Sequence, residues 1–355
     1  MSLQSLQVDD FRCIERAELE LDLRLTLISG PNGSGKSTLL EAIFLLGRGR
    51  SFRTARLETA VRHGAERLRV VGTVANHARL TTIGVENDNG SLRARVAGAP
   101  AESMGELALA FPVQVIDPGV HKLIEEGPVG RRRFLDWGVF HVEQGYLAQW
   151  QRLHRVLKQR NAALRTEASD ETLDAFDREL AATGEAVSAA RERYAETLVP
   201  HLRASCERLL DEPASLRYWR GWPDGVPLEE ALALARHRDR RRRASTVGPH
   251  RADLVIERLD GPARVTVSRG QQKLMAAALV LGQLERHART QGLATTLLLD
   301  DPAAELDNVR LARLVEEVRR LPTQLVMTSL TSGGDLLGTP GRTFHVERGV
   351  VRPVI

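Results

Sequence analysis

Cysteine is nearly missing from this chain. Cys13 and Cys206 are the two in 355 residues, too few and too far apart for a disulfide framework or a cysteine-built metal site. A reducing, cytoplasmic setting is the expectation. Aromatic residues are scarce, at 4%, so base stacking along single-stranded nucleic acid is a poor fit. No apolar run approaches the ~18 residues of a membrane span. The opening "MSLQSLQVDDFRCIERAEL" lacks the continuous apolar core of a secretion signal. It alternates instead, as a half-buried strand, a turn and a second strand do. A large excess of one charge is also missing, because the net charge is +4. A field of the whole protein is therefore a weak argument, although a pI near 9.4 permits a polyanionic partner. There is no internal repeat and no low-complexity segment. What remains is 42% apolar and 27% charged, the composition of a soluble globular chain, long enough for two or three domains.

Within that chain, "RLTLISG" reads as a buried strand from Leu25 to Ser29, closed by Gly30. "PNGSG" follows, and a helix is expected from Lys36. Gly30, Gly35, Lys36 and Ser37 match the G-x-x-x-x-G-K-[ST] spacing of a phosphate-binding loop. Each residue type has a reason. Glycines let backbone N–H groups close around phosphate oxygens, and the helix N-terminus adds positive potential. Lys36 brings a point charge to the β- and γ-phosphates. The Ser37 hydroxyl is a small neutral ligand for Mg²⁺. The nucleotide contacts expected here are Gly30, Asn32, Gly33, Ser34, Gly35, Lys36, Ser37 and Thr38.

Far downstream, "SRGQQKLMAAALVL" at 268–281 runs polar residues into an apolar helix. Ser268 and Gln271 have the S-x-x-Q spacing of a capping box. Leu274, Ala277, Ala278 and Leu281 hold one face. "TTLLLDDP" at 295–302 is then a buried strand ending in two acids. Asp300 suits Mg²⁺, directly or through water, and Asp301 suits polarising an attacking water. "AELD" at 304–307 leads into another helix.

Between these elements the texture changes. "LRVVGTVANHARLTTIGVENDNGSLRARVAGAP" has period-2 segments with Asn-Gly and Gly-Ala turns, hence hairpins. After Pro118, Leu147, Trp150, Leu153, Val156, Leu157 and Leu164 recur at helical spacing. Leu173, Phe176, Leu180, Val187, Tyr194 and Leu198 do so again after the link "TEASDET". The second helix, over 172–198, would span about 40 Å, giving a short antiparallel arm. The expected division is 1–118, the first part of an ATPase head; 119–244, an inserted helical lobe; and 245–355, the rest of the head.

The phosphate loop, the Ser-x-Gly-Gln helix, the double-acid strand and the Glu-Leu-Asp loop, in that order, resemble an α/β ABC-type ATPase head with a mixed sheet around a P-loop core. "DFRCIERAELEL" resembles the opening of the structural-maintenance and repair branch. "GRGRSFRT", "GRRRFLDW", "LKQRNAALR", "GPHRADL" and "SRGQQK" closely resemble the RecF family of bacterial recombination mediator ATPases, from residue 3 to about 310. The resemblance implies ATP and Mg²⁺ as cofactors and Asp301, Asp300 and Lys36 as catalytic residues. It implies an ATP-dependent homodimer in which Ser268, Gly270 and Gln271 of one copy close on nucleotide held by the other. Asp307 and Arg12 join the nucleotide contacts on the same ground. It also implies duplex, gapped or junction DNA and the mediator proteins RecR and RecO as partners, and slow, DNA-stimulated hydrolysis without chemistry on DNA. A role in recombinational repair and replication-fork maintenance would follow, close to the nucleoid and away from membranes.

Several positions depart from the general ABC pattern. Asp301 stands where many heads have Glu. Thr328 or Ser329 sits where a γ-phosphate-sensing His often lies. Asp117 ends "PVQVIDP" where transporter heads place a metal-contacting Gln, with Gln114 nearby. His250 and Arg251 in "GPHRADL" either face nucleotide or brace a loop. The basic runs Arg131, Arg132, Arg133 and Arg240, Arg241, Arg242, Arg243 are the candidate DNA contacts, through phosphates. A transporter ATPase subunit is the alternative reading, and an ATP-gated nuclease a third, which needs a further acidic metal cluster.

Overall fold

The computed structural model describes residues 1–76, 79–291, 295–303, 306–330 and 338–354. They divide into two units, Met1–His121 with Lys273–Ile355, and Lys122–Gln272.

In the first unit the chain opens with β1 (Ser2–Phe11), β2 (Ile14–Glu20) and β3 (Leu25–Ser29), then α1 (Lys36–Arg48). β4 (Arg67–Asn76), β5 (Arg79–Asp88), β6 (Ser91–Val96) and the two-residue β7 (Ala99–Pro100) follow, then α2 (Met104–Ala110) and β8 (Val113–Ile116). β1 buries Leu3, Leu6, Val8 and Phe11. Its alternation changes phase at a register shift between Leu3 and Ser5, because a bulge inserts one residue. β5 and β6 are joined at Asn89 and Gly90, both with positive φ, as a tight hairpin requires. The second expected turn falls at Ala97–Gly98, also at positive φ, one residue before the Gly-Ala pair.

The second unit holds α3 (Lys122–Glu125), α4 (Pro128–Phe140), α5 (Tyr146–Arg165), α6 (Asp170–Leu210), β9 (Ser215–Trp219), α7 (Leu228–Arg242), β10 (Asp253–Arg258), β11 (Gly261–Pro262) and α8 (Ala263–Thr266). α9 (Arg269–Gln291) contains the second boundary, and β12 (Thr296–Leu299), α10 (Asn308–Arg319), β13 (Gln324–Ser329), β14 (Arg342–Glu347) and β15 (Val350–Val354) return to the first unit.

Two sheets build the first unit. One is antiparallel, in the order β2-β1-β4-β5-β6-β7; the other runs β15-β14-β3-β13-β12-β8. In the second sheet β14, β3, β13, β12 and β8 are mutually parallel and only β15 is antiparallel. β3, β12 and most of β13 are buried along their length, as parallel strands covered on both faces must be. α1 is buried nearly all round, and one apolar core joins it to residues of both sheets, such as Leu6 and Val70 on one side and Leu298 and Val326 on the other.

The second unit differs from expectation in two ways. α6 has 41 residues, about 60 Å, and runs straight through Pro200. An interior proline costs ~3 kcal/mol, but the buried stripe continues past it with Leu202, Cys206 and Leu209, and that packing outweighs the penalty. α5 and α6 are antiparallel, since Arg152 pairs with Glu179 while Arg160 pairs with Asp177. The second boundary lies at 272/273, not at 244/245. The reason is that β10 pairs with β9, Asp253 opposite Trp219, which ties the segment after Ser245 to the inserted unit.

Candidate nucleotide site

The carboxyl ends of β3, β12 and β13 lie side by side, because Ser329 is in register with Ser29 and Leu299 with Met327. Ligands of parallel α/β sheets bind outside such ends. Three chemical elements converge there.

The first is the loop from Gly30 to Gly35. Gly30, Gly33 and Gly35 all have positive φ. At Gly30 a side chain would also be impossible, since a Cβ would sit 2.2 Å from the Val346 carbonyl oxygen. Ser34 is buried, and its hydroxyl has no partner among the described residues. Gly35 precedes α1 and supplies no side-chain cap, which leaves the first amides of the helix available to an anion. Asn32 and Gly33 are exposed at the rim and Thr38 is buried.

The second is Lys36, buried at the loop's centre. Its Nζ donates to the Gly30 carbonyl at 2.7 Å and the Pro31 carbonyl at 2.9 Å. Burial pulls its pKa below the usual lysine value, opposed by the nearby charges of Asp301 and Asp300.

The third is the acid strand end. Ser37 Oγ donates to Asp300 Oδ1 at 2.9 Å, and Thr328 Oγ1 donates to the same oxygen at 2.8 Å. The Thr328 hydroxyl accepts in turn from the Asp301 amide at 2.8 Å. Asp301 is held at φ +44°, a left-handed conformation that non-glycine residues adopt rarely. A hydroxyl and a carboxylate touching each other, beside a loop with an orphaned buried hydroxyl, form a hard-oxygen donor set. That set fits Mg²⁺, which keeps waters and phosphate oxygens as its remaining ligands. Asp300 and Ser37 are the residues that would hold it.

Thr328 thus serves as an organiser of both acids, and not at a site apart from them. Gln114 is not available to nucleotide, because it is buried and bonded to Gln283 at 2.5 Å. Asp117 lines a small cavity together with Asp300, Asp301 and Lys273. Arg12, itself at positive φ, forms a bidentate pair with Glu41 at 2.5 and 2.7 Å. Glu41 is fully buried on α1 and also accepts from Ser51 at 2.5 Å and Arg53 at 3.4 Å. This hub explains the "RSFRT" stretch, which braces the loop after α1. Its sequence signal is an acid inside the apolar run "LLEAIF".

Ser268 and Gln271 form the expected capping box. The Ser268 amide donates to Gln271 Oε1 at 2.9 Å, and the Gln271 amide donates to Ser268 Oγ at 3.4 Å. Ser268 is exposed and Gly270 half-buried. These residues belong to the second unit and the phosphate loop to the first. Asp307 caps α10 by accepting from the Arg310 amide at 2.8 Å. Glu305, in the expected Glu-Leu-Asp loop, lies outside the described residues.

The basic runs need correction. Arg131 is 5% exposed and forks onto Asp253 at 2.7 and 3.0 Å, while its Nη1 caps the carbonyls of Leu123 and Glu126. A buried guanidinium so occupied has no freedom for a polyanion. Arg132 donates to the Ala252 carbonyl at 2.7 Å, leaving Arg133 as the exposed member. Arg240 is held by Asp170, and Arg243 makes a longer pair with Glu167; Arg241 and Arg242 are exposed. His250 braces its own loop, with Nε2 3.0 Å from the Ser245 carbonyl, whereas Arg251 is exposed.

Residues 2–334 match the family described as the RecF/RecN/SMC N terminal domain. The DNA replication and repair protein RecF of Yersinia pestis bv. Antiqua (strain Angola) is 38% identical over 356 residues, covering 99% of this chain and 98% of that protein. RecF of Salmonella arizonae is 36% identical, covering 99% of both. The solved structure of the recombination mediator protein RecF-ATP in the RecFOR pathway superposes with a TM-score of 0.91 at 28% identity, over 99% of this chain and 97% of that one. An Smc head bound to the winged-helix domain of ScpA shares the fold alone, with a TM-score of 0.62 at 15% identity over 100% of this chain and 97% of that one. The fold is that of an ABC-type ATPase head carrying an inserted helical lobe, and the chain belongs to the RecF family within the wider RecF/RecN/SMC group.

Proposed function

We propose that this chain is an ATP-switched, DNA-binding dimer of recombinational repair and replication-fork maintenance. The observation that carries the reading is the Ser37–Asp300–Thr328 cluster at the mouth of the phosphate loop. It joins the phosphate loop to the acid strand through side chains from the first turn of α1, the end of β12 and the end of β13. Ser37 and Asp300 would hold Mg²⁺, which when bound would supply neutralisation of the charge that develops on the phosphates. Lys36 would trade its two carbonyl partners for phosphate oxygens. Asp301 would accept hydrogen bonds from the attacking water and take up its proton. An aspartate reaches less far than a glutamate, so turnover is slow, and hydrolysis resets the dimer rather than doing chemistry on DNA.

The dimer is read from the exposed capping box. A second copy would present Ser268 and Gly270 to the γ-phosphate held by Lys36, so each dimer would have two composite sites. DNA, with RecR and RecO, are the partners this reading supplies, in a cytoplasmic, nucleoid-associated setting, and the dimer helps load the recombinase.

The test mixes two defective variants. Ser268→Arg should bind ATP but stay monomeric, and Lys36→Ala should fail because it holds no nucleotide. In the mixed dimer both defects share one composite site and the other is intact. ATP-dependent association, followed by sedimentation, should be partly restored. Loss of ATP binding by monomeric Ser268→Arg, with no restoration on mixing, would sink the trans arrangement.

A further inference from the structure

α5 of the second unit carries five Arg and Lys residues and no acid in its 20 residues. The fold sorts these cations by face. Arg160 is fully buried against Asp177 and Asp239, and Arg152 pairs with Glu179. Arg155, Lys158 and Arg165 are exposed, and among the described residues they make no ion pair or hydrogen bond. Helical spacing at about 100° per residue puts Gln151, Arg155, Lys158, Ala162 and Arg165 within one narrow arc, and every one of them is exposed. From Arg155 to Arg165 the strip runs about 15 Å. Such a length of duplex axis carries roughly nine phosphates at 1.7 Å per charge.

The surroundings reinforce this sign. α7 ends beside α5, since the Ser245 amide just beyond it donates to Asn161 Oδ1 at 2.8 Å. Its last residues include the exposed Arg241 and Arg242. The small Ala162 lies between Lys158 and Arg165, so no bulky side chain keeps a partner's backbone away. The strip holds no aromatic and no large aliphatic residue, so it lacks what an interfacial membrane helix inserts.

We infer that the outer face of α5, built on Arg155, Lys158 and Arg165, is a docking strip for the phosphate backbone of duplex nucleic acid. It takes the place of Arg131 and Arg132, which the fold engages internally. The inference rests on the DNA-binding reading above and names the surface that serves it. Contacts of this kind position a duplex without reading its sequence.

The experiment measures affinity for a labelled duplex DNA of arbitrary sequence, with ATP and Mg²⁺, across a salt series. Three variants are compared with the natural chain. The first is Arg155→Gln, Lys158→Gln and Arg165→Gln together. The second removes the same charge from exposed but ion-paired positions, Arg152→Gln, Arg193→Gln and Arg203→Gln. The third is Arg155→Lys with Arg165→Lys. Losing three phosphate contacts should flatten the log–log slope by about 2.7, at 0.9 per contact. The paired-position variant and the lysine variant should keep a slope close to that of the natural chain. Equal flattening in the first two variants would show a general charge effect and overturn the strip. A steep slope in the natural chain that the first variant leaves unchanged would overturn the strip alone. No duplex binding by the natural chain would overturn the DNA reading itself. Binding to phosphatidylserine vesicles through these residues, in place of duplex, would overturn the choice of partner.

Discussion

Replacing Thr328 by valine should slow turnover while leaving nucleotide binding nearly intact. Thr328 is fully buried, so its hydroxyl answers to protein groups. It donates to Asp300 and accepts from the Asp301 amide. Valine keeps the shape and β-branching that suit β13 but removes both bonds. The Asp301 amide would then lack its acceptor, at a cost of about 1–3 kcal/mol for a buried donor. Asp301 sits at positive φ, a conformation costing roughly 1–2 kcal/mol for an ordinary residue, and that bond is what offsets it. Without it the turn relaxes and the Asp301 carboxylate, proposed above to polarise the attacking water, leaves its position. At 1.36 kcal/mol per decade, turnover should fall about 5- to 150-fold. The phosphate loop and Lys36 are untouched, so ATP affinity measured without Mg²⁺ should stay within about twofold, below 0.5 kcal/mol. Thr328→Ser retains the hydroxyl and should recover most of the rate. The assay is single-turnover hydrolysis paired with equilibrium nucleotide binding. Normal turnover by Thr328→Val, or an equal loss in the serine variant, would refute the positioning role.

Two further outcomes concern stability of the second unit. Burial lowers the His250 pKa to about 4, helped by Arg251 and Arg132 and opposed by its bond to Ser245. The unfolded chain therefore takes up a proton near pH 6.5 that the folded chain refuses, so stability is full above that pH and falls as pH drops towards 4. The loss is on the order of 3 kcal/mol, and His250→Gln should remove that part of the pH slope in urea titrations between pH 7.5 and 4.5. Arg160 is enclosed by Asp177 and Asp239, and its Nη1 also reaches Ser245 Oγ at 2.8 Å. Arg160→Met would leave the buried Asp239 without its cation, with only its bonds from Thr246, and Asp177 with Arg236 alone, at a cost of about 3–5 kcal/mol, read as a lower thermal midpoint, and an unchanged midpoint would contradict the network.

Local chemistry determined much of this protein from the sequence by itself. The strand from Leu25 to Ser29, the helix from Lys36, the Asn89–Gly90 turn and the Ser268–Gln271 cap all appear where their residues place them. Each depends on groups within a few residues, such as a φ that only certain residues tolerate or a cap that must follow at a fixed spacing. The acid strand was legible for a similar reason, since a continuous apolar run marks a parallel strand wherever it sits.

Tertiary structure decided what depended on partners distant in the chain. Thr328 organises the acids only because β13 lies between β3 and β12 in parallel register. Glu41 becomes a hub because two arginines from separate turns fold onto it. Arg131 and Arg160 looked no different in sequence from Arg155 and Arg165, yet two are neutralised in the interior and two face solvent. A charge's role follows from which carboxylates the fold brings within ~4 Å of it, and a linear run of arginines carries no record of that distance.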